Sequence, residues 1–108
     1  MALESNRTCS RAALIVQLRE ALRDSPARTA YLFGSWSRGT ADTYSDVDVA
    51  VIADSDRPFL ERFRDFPGLF ELPFPIELLV YRPQEFARMR RQGNGFIAEI
   101  VRTGTKIL

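Results

Sequence analysis

The stretch FGSWSRGTADTYSDVDVAV, residues 33–51, holds most of the side chains in this chain that could do chemistry. Asp46 and Asp48 stand one residue apart in the strand-like run Asp46 to Ala53. Strand side chains alternate sides, so both carboxylates project from one face while Val47, Val49 and Val51 take the other. Two close like charges repel, and each raises the other's pKa unless something positive lies between them. A divalent cation that prefers oxygen ligands, such as magnesium, supplies that charge. An acidic pair at a strand start also fits an ordinary solvated surface, so the pair alone decides nothing.

Two further features bear on it. Gly34-Ser35 closes the β-prone run Arg28 to Gly34 and opens a short helical turn through Trp36 to Arg38, which Gly39 lets the chain leave. Glycine allows a ligand close to the backbone, and free amides at a helix start can hold a phosphate, although Gly-Ser is equally a common turn pair. Glu77 interrupts an apolar run between Ile76 and Leu78. An unpaired carboxylate is costly to bury, so Glu77 is either exposed on a sheet edge or held by a cation. If its strand lies beside that of Asp46 and Asp48, three carboxylates and a phosphate-holding loop share one cleft. That combination suits metal-assisted phosphoryl chemistry.

The elements that must position these residues follow from periodicity. A first helix is expected from about Thr8 to Arg23, with Leu14, Ile15, Leu18 and Leu22 at helical spacing and Asp24-Ser25-Pro26 ending it. Strands are expected at Arg28 to Gly34, Asp46 to Ala53 and Ile76 to Tyr81. Between the last two, Ser55 or Asp56 should cap a helix with Pro58 in its first turn and Phe59, Leu60, Phe63 and Phe66 as its apolar stripe. Pro83 opens another helix, a further one follows Gly93-Asn94-Gly95, and Thr105 to Leu108 can add a terminal strand. The order α-β-β-α-β-α-α implies an α/β sheet with helices packed against it, in a single domain spanning residues 1–108.

Composition narrows the chemistry. The chain has 108 residues and a formal charge of +1 from 15 basic and 14 acidic side chains, which argues against nucleic-acid binding driven by bulk electrostatics. With no histidine and only Cys9 as a thiol, histidine-based triads, HExxH sites, cysteine zinc sites and internal disulfides are excluded. No apolar run approaches the roughly 20 residues of a membrane span, and no signal-type core is present, so a cytoplasmic location is expected.

On these residues the chain resembles the minimal nucleotidyltransferases of the DNA polymerase beta superfamily. GSWSRGTADTYSDVDVAV is similar to their Gly-Ser and Asp-x-Asp signature, and YRPQEFARMRRQGNGFIAEIVRTGTKIL to their usual ending. The resemblance implies a small mixed β-sheet packed with helices. It implies that Gly34 and Ser35 hold the triphosphate of the incoming nucleotide, and that Asp46, Asp48 and Glu77 bind two magnesium ions and carry catalysis. Relatives often have aspartate at the third acidic position, so Glu77 departs from the pattern by one methylene. Ser45 matches a position where relatives often carry serine, with a part in turn structure or in a hydrogen bond to a site carboxylate rather than in catalysis. The implied partner is a helical protein of the HEPN type, with the pair forming a toxin–antitoxin system in a homo- or hetero-oligomer. The implied reaction is AMP transfer from ATP to that ribonuclease toxin; the alternative is an antitoxin with weak or absent catalysis that occludes its partner. No direct nucleic-acid binding is expected. Antibiotic nucleotidylation is disfavoured, because 108 residues leave no space for an acceptor-binding domain.

Overall fold

The computed structural model describes residues 10–39 and 46–108; Thr8, Cys9 and Ser45 lie outside them. The first helix, α1 (Arg11–Leu22), starts where the Ser10 hydroxyl accepts the Ala13 amide at 3.1 Å, satisfying a donor the first turn leaves over. It ends where the amide and hydroxyl of Ser25 both donate to the Leu22 carbonyl. Leu14, Leu18 and Leu22, each four residues from the next, face the sheet and are buried.

Four strands form one mixed sheet: β1 (Ala27–Phe33), β2 (Val47–Ala53), β3 (Ile76–Tyr81) and β4 (Thr105–Lys106), in the order β3-β2-β1-β4. β1 runs antiparallel to β2 and β4, whereas β2 and β3 are parallel. A short helix, α2 (Ser35–Arg38), follows β1, and α3 (Pro83–Arg91) and α4 (Gly95–Thr103) follow β3. The expected α/β architecture and mixed sheet are present.

The sheet is packed on both sides. Leu32, Val47, Val49 and Val51 meet α1, Phe66 and Leu69 on one face. On the other, Ala50, Ile52 and Tyr81 meet Phe86 of α3 and Ile97 and Ile100 of α4. Asn94 caps α4 by accepting the Ile97 amide, and the chain end is tied by Ile107, whose amide donates to Ala30 O and whose carbonyl accepts from Arg19. Among the described residues, no helix is long and apolar enough to cross a membrane.

The helix expected after Ser55 is not formed. The chain instead makes two tighter 3-10 segments, Phe59–Asp65 and Pro67–Glu71. Pro67 separates the two: it keeps Phe66 out of the helical region, at φ −131° and ψ 54°, and breaks the winding there. The stripe dissolves with it. Phe66 is buried, but Leu60 is 82% exposed and Phe59 and Phe63 are partly exposed.

Arg62 turns inward instead and is only 3% exposed. Its guanidinium donates to the carbonyls of Arg57 and Val80 and to both carboxylate oxygens of Glu85, at 2.6 and 3.1 Å. Glu85 Oε1 also accepts the Arg82 amide at 2.8 Å, closing the first turn of α3 behind Pro83. One ion pair thus joins the 3-10 segment, the end of β3 and the start of α3. Hydrogen bonding from Arg62 holds the Glu85 carboxyl below its ordinary pKa, against the opposing effect of burial.

Removing one partner of such a pair leaves a poorly solvated charge. Arg62→Met should therefore lower unfolding free energy by about 3 kcal/mol in urea titrations at neutral pH. Adding Glu85→Gln should recover much of the loss. Because Glu85 binds its proton more weakly when folded, the stabilisation is complete above the ordinary glutamate range. It is lost as pH falls through the depressed native value, and Arg62→Met should flatten that dependence.

Candidate active site

The site lies where β1 ends and β2 and β3 begin. After Phe33 the backbone must turn sharply, and Gly34 takes φ 72° and ψ −152°, a conformation side-chain-bearing residues rarely adopt. Space adds a second demand: a Cβ at Gly34 would collide with Oδ2 of Asp48. α2 then makes a single turn, with the Ser37 amide on Gly34 O and the left-handed Gly39 closing back onto Ser35 O. Ser37 anchors this turn from below. Its buried hydroxyl donates to Thr103 O at 2.9 Å and shares a hydrogen bond with Thr105 Oγ1, while its carbonyl accepts from Arg11.

Asp48 sits in β2 on the face of Ala50 and Ile52, opposite the buried Val47 and Val49. Register does the rest. Asp48 lies beside Phe33 of β1 on one side and Glu77 of β3 on the other. Asp48 and Glu77 therefore line one cleft of about 480 Å³, with Leu78, Leu79, Phe33 and Phe96 as its apolar walls. Glu77 is exposed, on the edge strand of the sheet. Asp46 stands just outside β2, exposed, two residues before Asp48.

Sequence reasoning passes over both phenylalanines. Phe33 and Phe96 meet edge to face, with centroids 5.6 Å apart, and divide the cleft from a smaller cavity of about 220 Å³ that Gly34, Glu99 and Thr103 also line. Phe96 remains 47% exposed although it opens α4 beside the buried Ile97. Its position directly after the Gly93-Asn94-Gly95 break is the signal available. Ser37 escapes as well, since its partners lie 66 and 68 residues away.

For magnesium, the chemistry of the donors fits: all three are carboxylates, and hard cations prefer oxygen. Two of the three share the cleft. Among the described residues, however, no group of three acids is gathered closely enough to hold an ion.

Comparison with known proteins agrees with this fold. Residues 17–108 match the family model for polymerase beta nucleotidyltransferases, and the chain belongs to that family. Three solved structures are similar. One, of a toxin–antitoxin with AMP-PNP, shares 25% identity over 87% of this chain and 72% of its own, with a TM-score of 0.63. A candidate nucleotidyltransferase from Sulfolobus solfataricus has a TM-score of 0.58 at 15% identity, over 98% of this chain and 86% of its own. A mutant of the toxin–antitoxin MntA-HpeT has a TM-score of 0.59 at 21% identity, over 87% and 72%. The last two support the fold. No curated protein matches the chain.

The close approach of Gly34 to Asp48 can be measured against Gly39, which also has positive φ but no described atom within 4 Å of where a Cβ would stand. Gly39→Ala should lose about 1–2 kcal/mol for its backbone alone. Gly34→Ala should lose more in the same urea titration, because its ψ of −152° is one that essentially only glycine adopts and because Asp48 must also move. Equal losses would show that the two residues do not constrain each other.

Proposed function

We propose that this chain is a magnesium-dependent nucleotidyltransferase that moves AMP from ATP to a hydroxyl of a helical protein partner of the HEPN type, and so acts as the antitoxin of a ribonuclease toxin. The observation that carries the reading is the register of β2 and β3, which sets Asp48 beside Glu77 on one cleft, with Gly34 against Asp48. Family membership supports the reaction class, and the likeness to a toxin–antitoxin structure with AMP-PNP supports the nucleotide and the kind of partner.

In this reading Asp46, Asp48 and Glu77 hold the ions, and Gly34 and Ser35 receive the triphosphate. Bound magnesium would neutralise phosphate charge and lower the pKa of the attacking hydroxyl. The partner's oxygen forms a bond to the α-phosphorus, the bond to the β-phosphate's bridging oxygen breaks, and pyrophosphate leaves. A carboxylate of the cleft takes the hydroxyl proton. The protein's own work is positioning and charge balance, which needs no histidine. Phe33 and Phe96 keep one wall of the cleft dry, which strengthens the electrostatics beside it.

A second reading, in which the chain neutralises its partner by covering it, is favoured by one observation: among the described residues the acids are not gathered into a metal site. Intact-mass measurement of a co-expressed helical partner, incubated with and without Mg-ATP, separates the two. Transfer predicts gains of one or more AMP units that vanish in Asp48→Asn and fall at least about a hundredfold in rate in Glu77→Gln, as expected for loss of one transition-state contact. A stable complex with no mass gain would leave the covering reading in place.

A further inference from the structure

The arginines of this chain are unevenly used. Six pair with carboxylates. Arg11, Arg19 and Arg82 donate to backbone carbonyls. Among the described side chains, which do not include that of Arg38, this leaves Arg88, Arg90 and Arg91 in the last turn of α3, together with Lys106, without an acceptor. Three of these four cations converge. Arg90 and Arg91 from α3 and Lys106 from β4 line a cavity of about 540 Å³ between α3 and the β1–β4 side of the sheet, and no carboxylate lines it.

The floor of this cavity is aromatic. Tyr31, which lies opposite Lys106 in the β1–β4 register, and Phe86 of α3 have nearly parallel rings, 16° apart with centroids separated by 6.1 Å. Thr29 adds a hydroxyl on the same face of β1. Favourable interaction with the helix dipole accounts for cations in the last turn of α3. It does not account for Lys106, which comes from another element and meets them across the same space. The cavity is distinct from the catalytic cleft: it includes Ile52, four residues beyond Asp48 along β2, or about 13 Å at the strand rise.

Volume and lining together define a ligand. The volume falls within the range of small-molecule sites, roughly 300–1,000 Å³, rather than that of an extended polymer track. Guanidinium forks match phosphate oxygens in pairs, and an ammonium completes their charge balance. The aromatic floor takes a planar ring. We propose that this cavity is a second, non-catalytic binding site for a nucleoside phosphate, its phosphates on Arg90, Arg91 and Lys106 and its base against Tyr31. This site does not depend on the transfer reaction proposed above.

The test is an NMR titration of the 15N-labelled full chain with ADP in EDTA, where binding through divalent ions is suppressed. Saturable shifts are expected at Thr29, Tyr31, Lys106 and the last turn of α3. They should persist in Asp48→Asn, which removes a proposed metal ligand from the other cleft, and weaken at least about tenfold in Arg90→Ala/Arg91→Ala. Adenosine and inorganic pyrophosphate should each bind more weakly than ADP. Pyrophosphate binding as tightly as ADP would overturn the base contact. Shifts confined to Asp48, Glu77 and Gly34 would overturn the second site altogether. Saturable binding of a glutamate-rich peptide without any of ADP would overturn the ligand class in favour of an acidic protein segment.

Discussion

β2 is covered on both faces, and the whole molecule is arranged around that fact. Val47, Val49, Val51 and Ala53 are sealed under α1 and the 3-10 segments, and Ala50 and Ile52 lie under α3 and α4. A strand enclosed in this way can carry a carboxylate only where one covering layer stops, because a charge without partner or solvent costs far more than an apolar side chain gains. Within β2, Asp48 marks that opening. Its neighbours are then dictated by pairing alone. β1 must end at Phe33 and turn at once, and the turn must use a residue with no Cβ because Asp48 occupies the space. On the other side, the parallel register of β3 brings Glu77 alongside.

A parallel neighbour requires a crossover, and here the crossover is not a regular α-helix. Arg62 takes over the ordering role. By bonding the carbonyls of Arg57 and Val80 and the carboxylate of Glu85, it fixes the 3-10 segment against the last residues of β3 and the cap of α3. Apolar residues of similar volume in place of both partners could give equal or greater stability, since desolvation consumes much of an ion pair's attraction. What the pair supplies is direction: a guanidinium with several fixed donors admits one arrangement of the three segments. Its charge is felt beyond them, since Glu85, held ionised by Arg62, adds to the burial that raises the pKa of Tyr81.

The readable parts of this fold are those with local signals. Alternation of Asp and Val places β2 and sets Asp48 opposite Val47 and Val49; Glu77 stands out because an apolar strand gives it no local excuse. The bounds of β3 are legible as they stand, and those of β1 and β2 to within a residue. The second helix is misread because phenylalanines at near-helical spacing outweigh Pro67, whose effect on Phe66 is a backbone constraint that a hydrophobic pattern does not express. Arg62 carries no signal, being one of 15 basic residues. Only the tighter winding, which a period of 3.6 conceals, turns it toward Glu85. Phe96, Ser37 and the cavity above Tyr31 depend on contacts between segments far apart in sequence, and no window of residues contains them.

Net charge is the clearest case of information lost by summing. A total of +1 argues against a chain that holds polyanions by overall attraction, yet it says nothing about where the charges lie. On one face of this sheet the acids Asp48 and Glu77 gather at one end, and Arg90, Arg91 and Lys106 at the other, with the apolar contacts of α3 and α4 between them. Asp48 and Ile52, which line the two sites, lie about 13 Å apart along β2, more than the Debye length of about 8 Å at physiological salt, so solvent largely screens one group from the other. Each end can therefore act as an independent charged surface, negative at one end of the sheet face and positive at the other. A nearly neutral protein can in this way present two opposite charges on a single sheet face.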